Sequence, residues 1–150
     1  MKNIYIAGFD VFRKDALEYG KRLKNICGKY GFNGFFPFNN KICNPKDVFL
    51  ADLNLIDKSD IIIANLNNFR GYDIDSGTAF ELGYGYSKHK VLIGYRGDVR
   101  PLTEQLGYTD KNGFNVENFN MPINLMIGMS VKIINGKFED CLEYIKKEEF

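Results

Sequence analysis

Tryptophan is absent from this sequence, and histidine occurs once, as His89. A lone histidine excludes a His-rich metal site, and its setting at a helix end offers no histidine-based triad. Flanked by Lys88 and Lys90 near an expected helix end, His89 reads as a solvated residue that favours the helix dipole. Cysteine is scarce and odd in number: Cys27, Cys43 and Cys141 are too far apart to pair as metal ligands and form no disulfide framework. They read as reduced thiols in a cytoplasmic protein. Charge of one sign is missing too. With 20 basic against 19 acidic residues the net charge is +1, which gives no electrostatic reason to expect nucleic acid or an anionic membrane as partner. No long apolar run occurs. The N-terminal MKNIYIAGFDVF is interrupted too early for a signal peptide or a membrane span. There is no G-x-G-x-x-G after the first strand and no G-x-x-x-x-G-K-[ST] anywhere, so neither a dinucleotide nor a nucleoside triphosphate is expected and no cofactor is implied.

What remains is ordinary globular composition, 45% hydrophobic and 26% charged over 150 residues, enough for a single domain with its own core over 1–150. Thirteen Phe and nine Tyr can fill that core and still line a flat pocket. NIYIA (Asn3–Ala7), GFFPF (Gly34–Phe38), DIIIANL (Asp60–Leu66), VLIGY (Val91–Tyr95) and VKII (Val131–Ile134) read as strands. Helical spacing is expected over Arg13–Tyr30, Lys46–Lys58, Gly77–His89, the stretch PINLMIGM from Pro122, and Lys137–Lys147. Residues Arg96 to Asn120 carry no clear period. Strands alternating with helices imply an α/β fold: a doubly wound, five-stranded parallel sheet in the flavodoxin-like order 2-1-3-4-5, with helices on both faces. Ligands of such sheets bind beyond the carboxyl ends of the strands, where the order reverses. Gly8–Phe12, Asn39–Asn44 and Asn67–Ser76 would meet there.

The stretch DSGTAFELG (Asp75–Gly83) opens a helix and places Glu81 six positions after Asp75. Asp75 fits an N-cap as well as a functional carboxylate. Asp52, within ADLNLID, fits a solvated helix face on pattern alone. Glu81 lies between Phe80 and Leu82, which makes a solvated role less apt. Two carboxylates in one crevice suit glycosidic bond cleavage, which in retaining enzymes places them about 5 Å apart with one as nucleophile. A glutamate near a helix N-terminus is expected to stay ionised, because the dipole favours negative charge. Tyr5, Phe9 and Phe12 stand beside the same crevice and suit a flat base, although core packing accounts equally well for either Phe.

With these residues assembled, the chain resembles the nucleoside 2-deoxyribosyltransferase family. The resemblance runs through IYIAG, Pro37 and Asn40 in PFNN, and ADLNLIDKSDIIIANL. It is densest in FRGYDIDSGTAFELG and resumes in MPINLM. FRG is most similar to the protozoal-type members. The resemblance implies transfer of 2-deoxyribose between nucleobases, with retention, through a covalent sugar–enzyme ester. It implies Glu81 as nucleophile and Asp75 as the acidic residue that hydrogen-bonds the base and helps it leave. Tyr5 matches the tyrosine holding the nucleophile. Asp52, Asn40, Gly8, Phe9, Phe12 and Gly77 are the implied substrate-binding set. Asn124 and Met126 match residues that a neighbouring subunit contributes, so a homodimer or higher homo-oligomer is implied, with 2'-deoxynucleosides and free nucleobases as small-molecule partners. Lys41 stands where some members place a glutamine, and the tail KKEEF ends in Phe150 where some place a carboxylate in the site. Two other readings stay open: a hydrolase of deoxynucleoside 5'-monophosphates, and a non-enzymatic nucleoside-sensing domain on the same fold.

Overall fold

The computed structural model describes residues 1–38 and 43–150. Five strands, β1 (Asn3–Ala7), β2 (Asn33–Phe35), β3 (Ile61–Asn65), β4 (Val91–Arg96) and β5 (Lys132–Asn135), form one sheet in the order β2-β1-β3-β4-β5. Every pairing is parallel, with Tyr5 opposite Ile62 and Ala64 opposite Gly94 in register. The helices are α1 (Ala16–Lys29), α2 (Pro45–Asp57), α3 (Ser76–Ser87), α4 (Leu102–Leu106), α5 (Leu125–Ser130) and α6 (Phe138–Lys147).

Strand parity divides the core in two. Ile4, Ile6, Ile61 and Ile63 point to one face, where they meet Leu23 and Cys27 of α1 and Cys141, Leu142 and Ile145 of α6. Tyr5, Ala7, Ile62 and Ala64 point to the other, against Ile56 of α2, Leu82 of α3 and Ile123 ahead of α5. Side chains alternate across a strand, and a central parallel strand needs apolar residues on both sides. The run IIIAN meets that need with every position buried. Truncating a residue such as Leu82 costs about 2–5 kcal/mol. On α3 the small Gly85 allows a close approach to the sheet: a Cβ there would collide with Ile62 Cδ1.

Differences from the sequence reading have local causes. The second strand stops at Phe35 instead of Phe38. Pro37 has no N–H for the ladder, and Phe38 N–H instead donates to Phe36 O at 2.8 Å, a tight turn about the proline. The helix expected from Pro122 starts at Leu125, because Asn124 is its N-cap and accepts from Met126 N–H at 2.9 Å. A 3-10 turn, Phe9–Phe12, precedes α1, which begins three residues later than its apolar spacing implied. α4 lies in the stretch without a period; five residues are too few to display one.

Buried Arg96 at the end of β4 ties the loops together. Its guanidinium donates to Leu66 O at 2.6 Å, Asn68 Oδ1 at 2.8 Å and Gln105 Oε1 at 3.0 Å. No helix among the described residues is long and apolar enough to cross a membrane. Cys27 and Cys141 are buried, Cys43 is exposed, and all three are unpaired.

Candidate active site

A cavity of about 330 Å³ opens beyond the carboxyl ends of β1 and β3, where the strand order reverses. Its walls come from four segments. Gly8, Val11 and Phe12 follow β1, and Pro37 and Phe38 follow β2. Val48 and Asp52 stand one helical turn apart on α2, and Asp75, Gly77 and Glu81 belong to the start of α3.

Gly8 has φ 148°, and a Cβ there would lie 2.8 Å from Asn65 Cβ. Only glycine combines that backbone with that approach. Asn65 Nδ2 in turn donates to buried Asp10 Oδ2 at 2.9 Å, which fastens the 3-10 turn to β3. Asp75 caps α3: its Oδ2 accepts from Thr78 N–H at 3.0 Å and from Thr78 Oγ1 at 3.1 Å. It is at once the N-cap and a cavity residue, so both readings of this position hold geometrically.

Tyr5, fully buried on β1, donates its O–H to Glu81 Oε1 at 2.7 Å. Burial and the nearby Glu81 and Asp52 carboxyls hold the Tyr5 phenol far above its ordinary range, so it remains a donor. Burial pushes the Glu81 carboxyl up to about 8; the Tyr5 bond opposes this, while Asp52 and Asp75 add to it. The expectation that the helix dipole keeps Glu81 readily ionised is thereby overturned. Glu81 is the sixth residue of α3, beyond the first turn where the dipole acts, and desolvation prevails. Asp52 is half-buried rather than on a solvated face, and its burial raises it to about 6.

The structure thus brings Glu81, Asp75, Asp52, Gly8, Phe12 and Gly77 to one cavity, with Tyr5 bonded to it from below. Phe9 does not line it; its ring stacks on Phe69 instead. Asn124 and Met126 lie on the far side of α3, along grooves between α3 and α5. Asn40 and Lys41 fall outside the described residues. Phe150 packs on Tyr144 of α6, so the tail lies on the sheet face opposite α3. Sequence reasoning missed Phe38 and Val48, while Val11 falls within the expected segment Gly8–Phe12. Val48 was within reach, because it precedes Asp52 by four positions on one helix face.

The family model for nucleoside 2-deoxyribosyltransferases matches residues 4–126. The chain belongs to the nucleoside 2-deoxyribosyltransferase family. A 2-deoxyribosyltransferase from Leishmania mexicana superposes with a TM-score of 0.91 at 32% identity, covering 100% of both chains. A 2-deoxyribosyltransferase from Bacillus psychrosaccharolyticus shares the fold at 24% identity and TM-score 0.62, over 95% of this chain and 91% of that one. A Clostridium botulinum CMP N-glycosidase shares it at 18% identity and TM-score 0.55, over 99% and 98%. An uncharacterized Schizosaccharomyces pombe protein is 35% identical over 113 residues, 69% of this chain. The chain spans about half of that protein, 54% of its length. In this family member the cavity, the capped helix and the Tyr5–Glu81 bond therefore sit in the fold that the Leishmania mexicana transferase shares.

Proposed function

We propose that the protein is a glycosyltransferase that moves 2-deoxyribose between nucleobases through an ester on Glu81. The observation that carries this reading is the Tyr5–Glu81 bond of 2.7 Å at the wall of a nucleoside-sized cavity shared with two further carboxyls. In the first step a Glu81 oxygen bonds to C1' of the deoxysugar while the C1'–N bond breaks. The electron pair leaves with the base, and a proton from the carboxyl facing it neutralises the nitrogen. Asp75, whose two internal bonds both fall on Oδ2, keeps Oδ1 for the base. Asp52, raised to about 6, retains a proton over more of the neutral range than an ordinary aspartate and sits with sugar and base. In the second step a nitrogen of another base bonds to C1' and gives its proton back to the carboxylate that faced the departing base, while the C1'–O bond breaks and the Glu81 carboxylate departs. Two inversions give net retention.

The walls favour a nucleoside over its 5'-monophosphate. Among the described residues the lining holds three acids and no Lys or Arg. The Thr78 hydroxyl, buried, is spent on Asp75. Against the described walls a phosphate would meet repulsion and no donor cluster. Asn124 and Met126 do not reach this chain's own cavity, which supports a homo-oligomer in which they serve a neighbour's. Incubation with thymidine and adenine is expected to yield deoxyadenosine, and a 2-fluoro-deoxynucleoside is expected to leave a sugar adduct on Glu81 by mass spectrometry. Free deoxyribose alone, or turnover restricted to a deoxynucleoside monophosphate, would move the chain to the glycosidases. Binding without turnover would make it a nucleoside sensor.

A further inference from the structure

Behind the Phe12 wall stand two residues that the transfer steps do not use. Phe69, in the loop between β3 and α3, lies parallel to Phe12, with centroids 5.5 Å apart and planes 6° apart. It is also parallel to Phe9, at 4.9 Å and 5°. The Arg70 guanidinium sits 4.5 Å from the Phe69 centroid and 5.1 Å from that of Phe12. Arg70 holds a left-handed backbone at φ 52°, followed by Gly71 at φ 142°. A non-glycine residue is uncommon there, and at this turn the Arg70 side chain is directed over both rings. Phe69 N–H donates to Asp73 O at 2.9 Å, closing the loop that leads to Asp75.

Phe12 needs such a support. The residue is 57% exposed, and an exposed ring on a short turn samples several rotamers. Parallel stacking on Phe69 beneath a guanidinium leaves one plane favoured. We propose that Phe69, held by Arg70, is a positioning residue that presets Phe12 as the flat wall for the nucleobase, and so governs base affinity rather than the bond-breaking rate. This rests on the deoxyribosyl transfer reading above. A base that meets a wall already in place incurs no ordering cost on binding. Glu81 and Tyr5 stand on α3 and β1 and are fixed by their own bond, so chemistry in the filled site is independent of Phe69.

Steady-state kinetics with thymidine as donor and adenine as acceptor test this in Phe69→Ala, Phe69→Leu and Phe69→Tyr. Ala and Leu are expected to raise both KM values about tenfold, with kcat within about twofold of wild type on the same argument. Tyr, which keeps the plane, is expected to restore both KM values. Arg70→Ala is expected to raise KM about threefold. Leucine fills similar space without a ring, so a role in packing alone predicts that Leu restores KM. That result, an unchanged KM in the Leu variant, or a loss confined to kcat overturns the proposal. If the Ala variant fails to fold, the Leu and Tyr pair decides. A wild-type protein inactive on thymidine would sink the transfer reading instead. Calorimetric binding of free adenine to wild type and the Leu variant would then still test the wall, with equal affinities overturning it.

Discussion

Glu81 is subject to opposing demands. Attack on C1' needs its ionised form, yet burial holds the carboxyl at about 8 against an ordinary 4.5. The folded state keeps a proton that the unfolded chain releases, so stability falls as pH rises from about 5 to about 8. Glu81→Gln keeps the acceptor for Tyr5 and has no charge to bury. It is expected to be inactive, and more stable than wild type by on the order of 3 kcal/mol near pH 8. The gap should vanish near pH 4; melting curves across that range measure it, and a gap independent of pH would contradict it. Tyr5 works against the same desolvation, since its hydrogen bond lowers the Glu81 value. Tyr5→Phe should push that value higher, moving the rising limb of the kcat/KM profile to more alkaline pH and cutting activity near neutrality by about tenfold. An unmoved limb would remove Tyr5 from this role. Neither effect was legible from residue types. The two side chains are 76 positions apart, and the pair came to notice through resemblance alone.

α3 shows how one residue can serve both an element and the site. Asp75 supplies the cap that starts the helix and a carboxyl to the cavity. Two substitutions separate the roles. Asparagine is as good a cap as aspartate but carries no charge, whereas alanine is neither. Asp75→Asn should melt within about 0.5 kcal/mol of wild type and Asp75→Ala about 1 kcal/mol lower, with turnover reduced in both. Full activity in the Asn variant would confine Asp75 to capping. The cap was one of two readings open in the sequence, because a helix N-terminus is written in neighbouring residues, here an aspartate just ahead of the helical run. β3 was readable for a similar reason: its run IIIAN is buried on both faces. α4 was not, because its placement depends on Arg96 and Gln105, and Gln105 Nε2 also reaches Pro122 O at 3.0 Å.

At the scale of the molecule, the surface over α3 and α5 is unusually apolar for one exposed to water. Met126 and Met129 are each 71% exposed and flank a groove with Ala79, Gly83 and Tyr86. Phe49 and Phe80 pack together nearby, both exposed. Such patches mark association sites, and the homo-oligomer proposed above would cover this one with a second copy of the chain. The double variant Met126→Glu, Met129→Glu is expected to weaken self-association by about 3 kcal/mol or more, since each buried charge would lack a partner. Light scattering would report a monomer, and activity should fall with the oligomer. An active wild-type monomer would rule out the shared site.

Some of this was decided by sequence alone. The alternation of strands with helices led to the order β2-β1-β3-β4-β5, and the apolar run of β3 marked it as a covered central strand. These features repeat every two to four residues, so adjacent side chains record them. Only the tertiary structure decided that Tyr5, Asp52 and Glu81 converge, that Phe9 faces Phe69 rather than the cavity, and that burial lifts Glu81 to about 8. Desolvation depends on everything that surrounds a group, and those surroundings come from segments far apart along the chain.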